Sequence, residues 1–161
     1  MTSPSDRELM DFVYAEARLL DMQRYDEWVA LFAEEGHYWI PLQGARQADP
    51  HSHNSIAYED RLLLSLRVER LKDPRAHSQH PPSRGQHVLQ RPFIERRDDE
   101  AGRYELSTPF VYIEARAEQQ LLLSGVYRHT LKQVGDALRI LQKRVDLLNA
   151  EAAFPAIQLF P

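Results

Sequence analysis

Cysteine is missing from all 161 residues, which excludes disulfides, thiolate nucleophiles, Cys-ligated zinc and every Cys-ligated iron–sulfur cluster in this chain. Long apolar runs are missing too. None approaches the roughly 20 residues needed to span a bilayer. The opening Met1-Thr2-Ser3-Pro4-Ser5-Asp6 has neither a basic start nor an apolar stretch behind it. The expectation is a soluble, unexported, cytoplasmic protein with no membrane partner. Nor is there a surplus of positive charge. Lys and Arg number 20 against 24 Asp and Glu, a formal charge of −4, and both signs are scattered through every segment. No strongly basic face is expected, and nucleic acid is not an expected partner. Internal repeats are also lacking. What remains is 43% hydrophobic, enough for one domain over 1–161 to enclose one core.

Ser5-Asp6-Arg7-Glu8 matches a capping box, so a helix is predicted to start there. Leu9, Phe12, Val13, Ala17 and Leu20 give that helix an apolar stripe, with Arg7, Asp11 and Arg18 off it. After a bend near Asp21-Met22, Tyr25, Trp28, Val29 and Phe32 begin a shorter stripe that Gly36 can close as a left-handed cap. His37 to Leu42 is rich in aromatic and β-branched residues and predicts a strand, with Pro41 marking an edge or an end. A loop is expected from Gln43 to about Ser55. A third helix is expected over Glu59–Leu71, stopped by Asp73-Pro74. Between Arg75 and Gln86 two prolines, a glycine and the lack of apolar period imply an irregular loop.

Four long strands follow, Val88–Glu95, Tyr104–Ala117, Leu121–Val134 and Leu138–Leu148, separated by short turns at Asp98–Gly102, Glu118–Gln120 and Gly135-Asp136. Helices first and long antiparallel strands afterward predict α+β, a cone-shaped roll whose strongly curved mixed or antiparallel sheet wraps around the N-terminal helices. The chain divides into a helical part with one strand (about 5–73), an antiparallel meander (about 86–149) and an apolar C-terminal tail (150–161).

Three stretches carry a resemblance. The first is Glu16-Ala17-Arg18-Leu19-Leu20-Asp21 with Tyr25–Phe32, leading into the Tyr38-Trp39-Ile40-Pro41 strand. The second runs from Glu59-Asp60-Arg61 through Arg67–Leu71, Ala76-His77-Ser78 and Pro81-Pro82-Ser83-Arg84 to His87-Val88. The third is Ser124-Gly125-Val126-Tyr127 with Lys143–Asn149. In order and spacing they resemble the β (small) subunits of bacterial aromatic-ring-hydroxylating dioxygenases, in the nuclear-transport-factor-like and scytalone-dehydratase-like superfamily of cone-shaped folds. The resemblance implies a structural subunit that binds no cofactor and self-associates as a trimer, within an α3β3 assembly. It also implies a catalytic α partner that holds a Rieske [2Fe–2S] cluster and a mononuclear iron. Such a cluster needs two Cys and two His ligands, and this chain has no Cys to offer.

Seven histidines raise the question of a non-haem iron, which needs two His and a carboxylate on one face. The candidates are His51-x-His53, His77-x-x-His80 and His87. Beside Pro50 and Asn54 the first pair is expected to be solvated. The others are expected to bond loop backbone or to face a neighbouring subunit. The contrasting class is a stand-alone dehydratase or isomerase with an acid/base set in the cavity, drawn from Tyr14, Asp26, Tyr58, Asp60 and His87. Against it, Asp26 suits a cap on the second helix and Asp60 the first turn of the third. A third class is a small-ligand binding module. Candidate interface residues are His77, His80, Arg84, Arg91, Phe154, Ile157, Leu159 and Phe160. The arginines suit bridging ion pairs, and the tail side chains suit burial worth roughly 1.5–3 kcal/mol each.

Overall fold

The structure, a computed structural model, describes residues 2–51, 54–75, 81–150 and 157–161. Its order is α1 (Asp6–Asp21), α2 (Tyr25–Ala30), β1 (Phe32–Pro41), a 3-10 turn (Gly44–Arg46), β2 (Ser55–Asp60), α3 (Arg61–Lys72), β3 (Arg84–Leu89), β4 (Phe93–Asp98), β5 (Arg103–Arg116), β6 (Gln119–Val134) and β7 (Ala137–Leu147). The seven strands form one sheet in the order β2-β1-β7-β6-β5-β3, with β4 also on β5. It is the expected α+β roll: the curved sheet closes around α1 and α2, while α3 packs on β1 and β2. Among the described residues no helix is long and apolar enough to cross a membrane.

α1 begins as its sequence dictates. The Ser5 hydroxyl accepts from the Glu8 N–H at 3.2 Å, and Glu8 accepts from the Ser5 N–H at 2.7 Å. Those bonds hold the Glu8 carboxyl below its usual pKa. The buried face is Leu9, Val13, Glu16, Ala17 and Leu20. The bend after it places Gln23 in the left-handed region (φ 56°).

Several boundaries differ from expectation, each because tertiary pairing overrides a local pattern. α2 stops at Ala30, not near Gly36, since the Leu31 carbonyl accepts from Ile140 N at 2.8 Å and β1 starts immediately. Gly36 therefore lies inside a strand, where a Cβ would sit 2.5 Å from the Ile140 carbonyl oxygen. β1 runs parallel to β7, which makes the sheet mixed. β2, expected as loop and helix start, pairs antiparallel with β1 from Pro41↔Ser55 to His37↔Asp60. Its residues are half-buried or exposed, and it shows little apolar signal of its own. The single strand expected over Val88–Glu95 is two, split at Arg91-Pro92, because proline has no N–H for the ladder. Both halves pair with β5.

Candidate functional site

Two groups of buried polar side chains face inward. The first sits where α1 crosses β6 and β7. Glu16 is the one charged residue on the buried stripe of α1, and strand alternation puts His129 and Lys143 on the inner sheet face opposite it. The Glu16 carboxylate accepts from Lys143 Nζ at 2.8 Å and from Trp28 Nε1 at 2.6 Å, and His129 Nε2 lies 3.0 Å away. The ionisable members are 0–1% exposed. Burial pushes the Glu16 pKa up, but the Lys143 charge and the two hydrogen bonds outweigh it, so the carboxyl titrates well below its ordinary range. Burial, helped by the Lys143 charge, drives His129 below its usual value, against the pull of Glu16. The result is a buried ion pair beside a neutral imidazole. Lys143 also lies 4.4 Å over the Tyr127 ring.

The second group surrounds the end of the described chain. Phe160 is buried against Trp28 (4.6 Å between ring centroids), Tyr25 (5.8 Å) and Tyr38 (5.9 Å), with the Arg67 guanidinium 4.2 Å over its face. The backbone around it is read atom by atom. Tyr38 donates to the Pro161 carbonyl at 2.7 Å, Arg67 to the Leu159 carbonyl at 2.7 Å, and His87 Nε2 lies 3.1 Å from the Phe160 carbonyl. Glu114 accepts the Gln158 and Leu159 N–H groups, both at 2.9 Å, and the Tyr112 hydroxyl at 2.8 Å. His87 is oriented by Asp21, whose carboxylate is 2.6 Å from Nδ1 and also takes the His87 backbone N–H. Gly85 makes room for this wall, since a Cβ there would meet the Tyr112 hydroxyl at 2.6 Å. Burial raises the phenol pKa values of Tyr38 and Tyr112, with Glu114 adding to it, and pushes Tyr25 up to about 12. All three stay protonated at neutral pH.

Of the residues proposed for acid/base work, only His87 reaches this interior. Tyr14 is exposed on α1. Asp26 is not the cap of α2. The cap position is Arg24, whose side chain makes no capping hydrogen bond, and the exposed Asp26 pairs with Lys72 at 2.6 Å. Asp60 is the N-cap of α3 rather than a first-turn residue, accepting from Leu63 N at 2.9 Å. Tyr58 stacks on His37 at the β2 edge, 4.9 Å between rings. His53, His77, His80 and Phe154 lie outside the described residues. Arg84 and Arg91 are exposed, Ile157 is half-buried, and Leu159 and Phe160 are buried within their own chain. Glu16, His129 and Lys143 escaped the reading of the sequence. The available signal was a glutamate in the middle of an apolar helix stripe.

These arrangements contain acids and bases, yet each is engaged by another group of the same chain, and Phe160 is packed among the rings of Tyr25, Trp28 and Tyr38. A general base must reach a substrate proton. Among the described residues no three His, Asp or Glu come together as a metal set. Without Cys the chain cannot ligate a Rieske cluster.

Comparison with known proteins places this geometry. A family model described as ring hydroxylating beta subunit matches residues 15–152. The chain belongs to this family. It is 32% identical to the benzene 1,2-dioxygenase subunit beta of Pseudomonas putida over 134 residues, which cover 78% of this chain and 71% of that one. The crystal structure of the benzoate 1,2-dioxygenase beta subunit from Burkholderia mallei superposes with a TM-score of 0.75 at 25% identity, covering 92% of this chain and 94% of the other. A scytalone-dehydratase-like protein from Novosphingobium aromaticivorans shares the fold alone, with a TM-score of 0.63 at 14% identity over 88% and 82% of the two chains. As a ring-hydroxylating β subunit, the chain is a non-catalytic component of a multicomponent aromatic-ring-hydroxylating dioxygenase.

Proposed function

We propose that this chain is an assembly subunit that self-associates as a trimer beneath a catalytic α subunit in an α3β3 dioxygenase of aromatic-compound catabolism. In this reading the α subunit carries the Rieske cluster, the mononuclear iron and the substrate pocket. The observation that carries it is the occupied interior. Where a cone-fold enzyme needs an accessible cavity, this chain buries Phe160 against Trp28, Tyr25 and Tyr38. Subunit contacts then fall to the outside. Strand register lines up Gln86, Ile113 and Leu122 across β3, β5 and β6, facing away from the core, with Arg84 at the β3 end. Leu122 and Val88, 64% and 53% exposed, are apolar side chains awaiting a cover. Arg84 and Arg91, which make no ion pair among the described residues, supply bridging charge.

Co-expression with a large (α) subunit of a ring-hydroxylating dioxygenase tests this. The expected result is a stable complex that elutes at the size of a hexamer and carries all its iron in the large subunit. Arg84→Glu with Leu122→Asp is expected to release this chain while leaving it folded. A chain that stays alone and turns over a small molecule, with activity lost in His87→Ala, overturns the reading in favour of a dehydratase or isomerase.

A further inference from the structure

The wall around Phe160 asks for more than an aromatic ring. Two donors, Tyr38 and Arg67, point at the main-chain oxygens of Pro161 and Leu159, and His87 Nε2 lies 3.1 Å from that of Phe160 between them. One buried carboxylate, Glu114, clasps two consecutive backbone N–H groups. A plain aromatic hydrocarbon would fill the ring slot and leave the Tyr38 hydroxyl, Arg67 Nη2 and Glu114 Oε2 without these partners, at the cost of buried unsatisfied polar groups. An aromatic acid would satisfy the donors but set its carboxylate against Glu114. A peptide satisfies every group, because it presents N–H and C=O groups on either side of a ring at this spacing.

We propose that the inner wall of the cone is a peptide-binding site for a segment of the type apolar–aromatic–proline, and that Leu159-Phe160-Pro161 is its resident ligand. The aromatic slot of Trp28, Tyr25, Tyr38 and Arg67 reads the ring. Tyr38, Arg67, His87 and Glu114 read the backbone. Asp21 positions His87, and Glu59 steadies Arg67 at 2.5 Å. Proline suits the last position, since its missing N–H needs no partner in the apolar wall.

The test uses the synthetic peptide Ile-Gln-Leu-Phe-Pro with a fluorophore at its N-terminus, titrated into the full chain and into full-chain Phe160→Ala. The variant, whose own ring no longer fills the slot, is expected to bind it saturably. The unaltered chain is expected to bind at least about tenfold more weakly, because its tethered segment competes at high effective concentration. A peptide with alanine in place of phenylalanine is expected not to bind. Equal binding by both chains, or no preference for the aromatic peptide, overturns the proposal. Should Phe160→Ala not fold, amide hydrogen exchange on the full chain decides. The Gln158 and Leu159 N–H groups are expected to be protected and to exchange at least about tenfold faster in Glu114→Gln, with β6 amides unchanged. Exchange in the unaltered chain at the rate of an exposed segment sinks the proposal.

Discussion

The cluster at Glu16 and the clasp around Phe160 are two ways of burying charge and polarity in one cone, and Trp28 touches both. Its indole N–H bonds Glu16 and its ring packs on Phe160. In the first, every partner is fixed on a regular element, so charge is neutralised by groups that cannot leave without unfolding the sheet. In the second, half of the partners belong to residues 157–161, which lie outside the sheet. The lesson is that buried polar groups in a cone can be satisfied in two different ways. One region is saturated by its framework and the other by an occupant.

The difference can be broken from the framework side first. Glu16→Gln strands the Lys143 ammonium in the core and is expected to lower stability by about 3–5 kcal/mol, read from urea denaturation. A loss under about 1 kcal/mol would mean the cluster is no stronger than a surface pair. Phe160→Ala is expected to lower it by about 2–3 kcal/mol, below the full range for a core aromatic, because the proposed resident segment pairs with no strand of the sheet. A loss as large as that of Glu16→Gln would erase the distinction.

Acidification sharpens the comparison. Both Glu16 and His129 have folded-state pKa values depressed below their ordinary 4.5 and 6.5. Each therefore adds stability that is present at neutral pH and lost on acidification, because the unfolded chain takes up protons that the folded one refuses. Denaturation midpoints are expected to fall as pH drops below about 6.5 and again below about 4.5. His129→Gln is expected to remove the first fall and leave the second. A midpoint that rises on going from pH 7 to pH 5.5 contradicts this assignment. The smallest effects belong outside both regions. Asp26→Asn and Tyr14→Phe are expected to leave the denaturation midpoint and assembly unchanged, and a loss of assembly in Asp26→Asn would place an interface on α2.

What was legible follows from the range of the signal. The capping box of α1, its apolar stripe and the turn at Gly135-Asp136 depend on neighbours within a few residues, and they appear where the pattern puts them. β2 was not legible, because its half-buried residues carry no alternation and only β1 makes it a strand. His87 stood out as a candidate, yet its orienting partner Asp21 lies 66 residues away. Nothing near Glu16 in the sequence points to its partners, since Lys143 and His129 are 127 and 113 residues distant.

By itself the sequence determined the fold class, the family and the exclusion of a cysteine-ligated cluster, because local periodicity, ordered motifs and composition need no knowledge of contacts. Only the tertiary structure decided which charges are buried together and what occupies the cone. Strand pairing and helix packing bring residues separated by most of the chain within hydrogen-bond reach, and in that dry interior each group's charge depends on the partner it meets there.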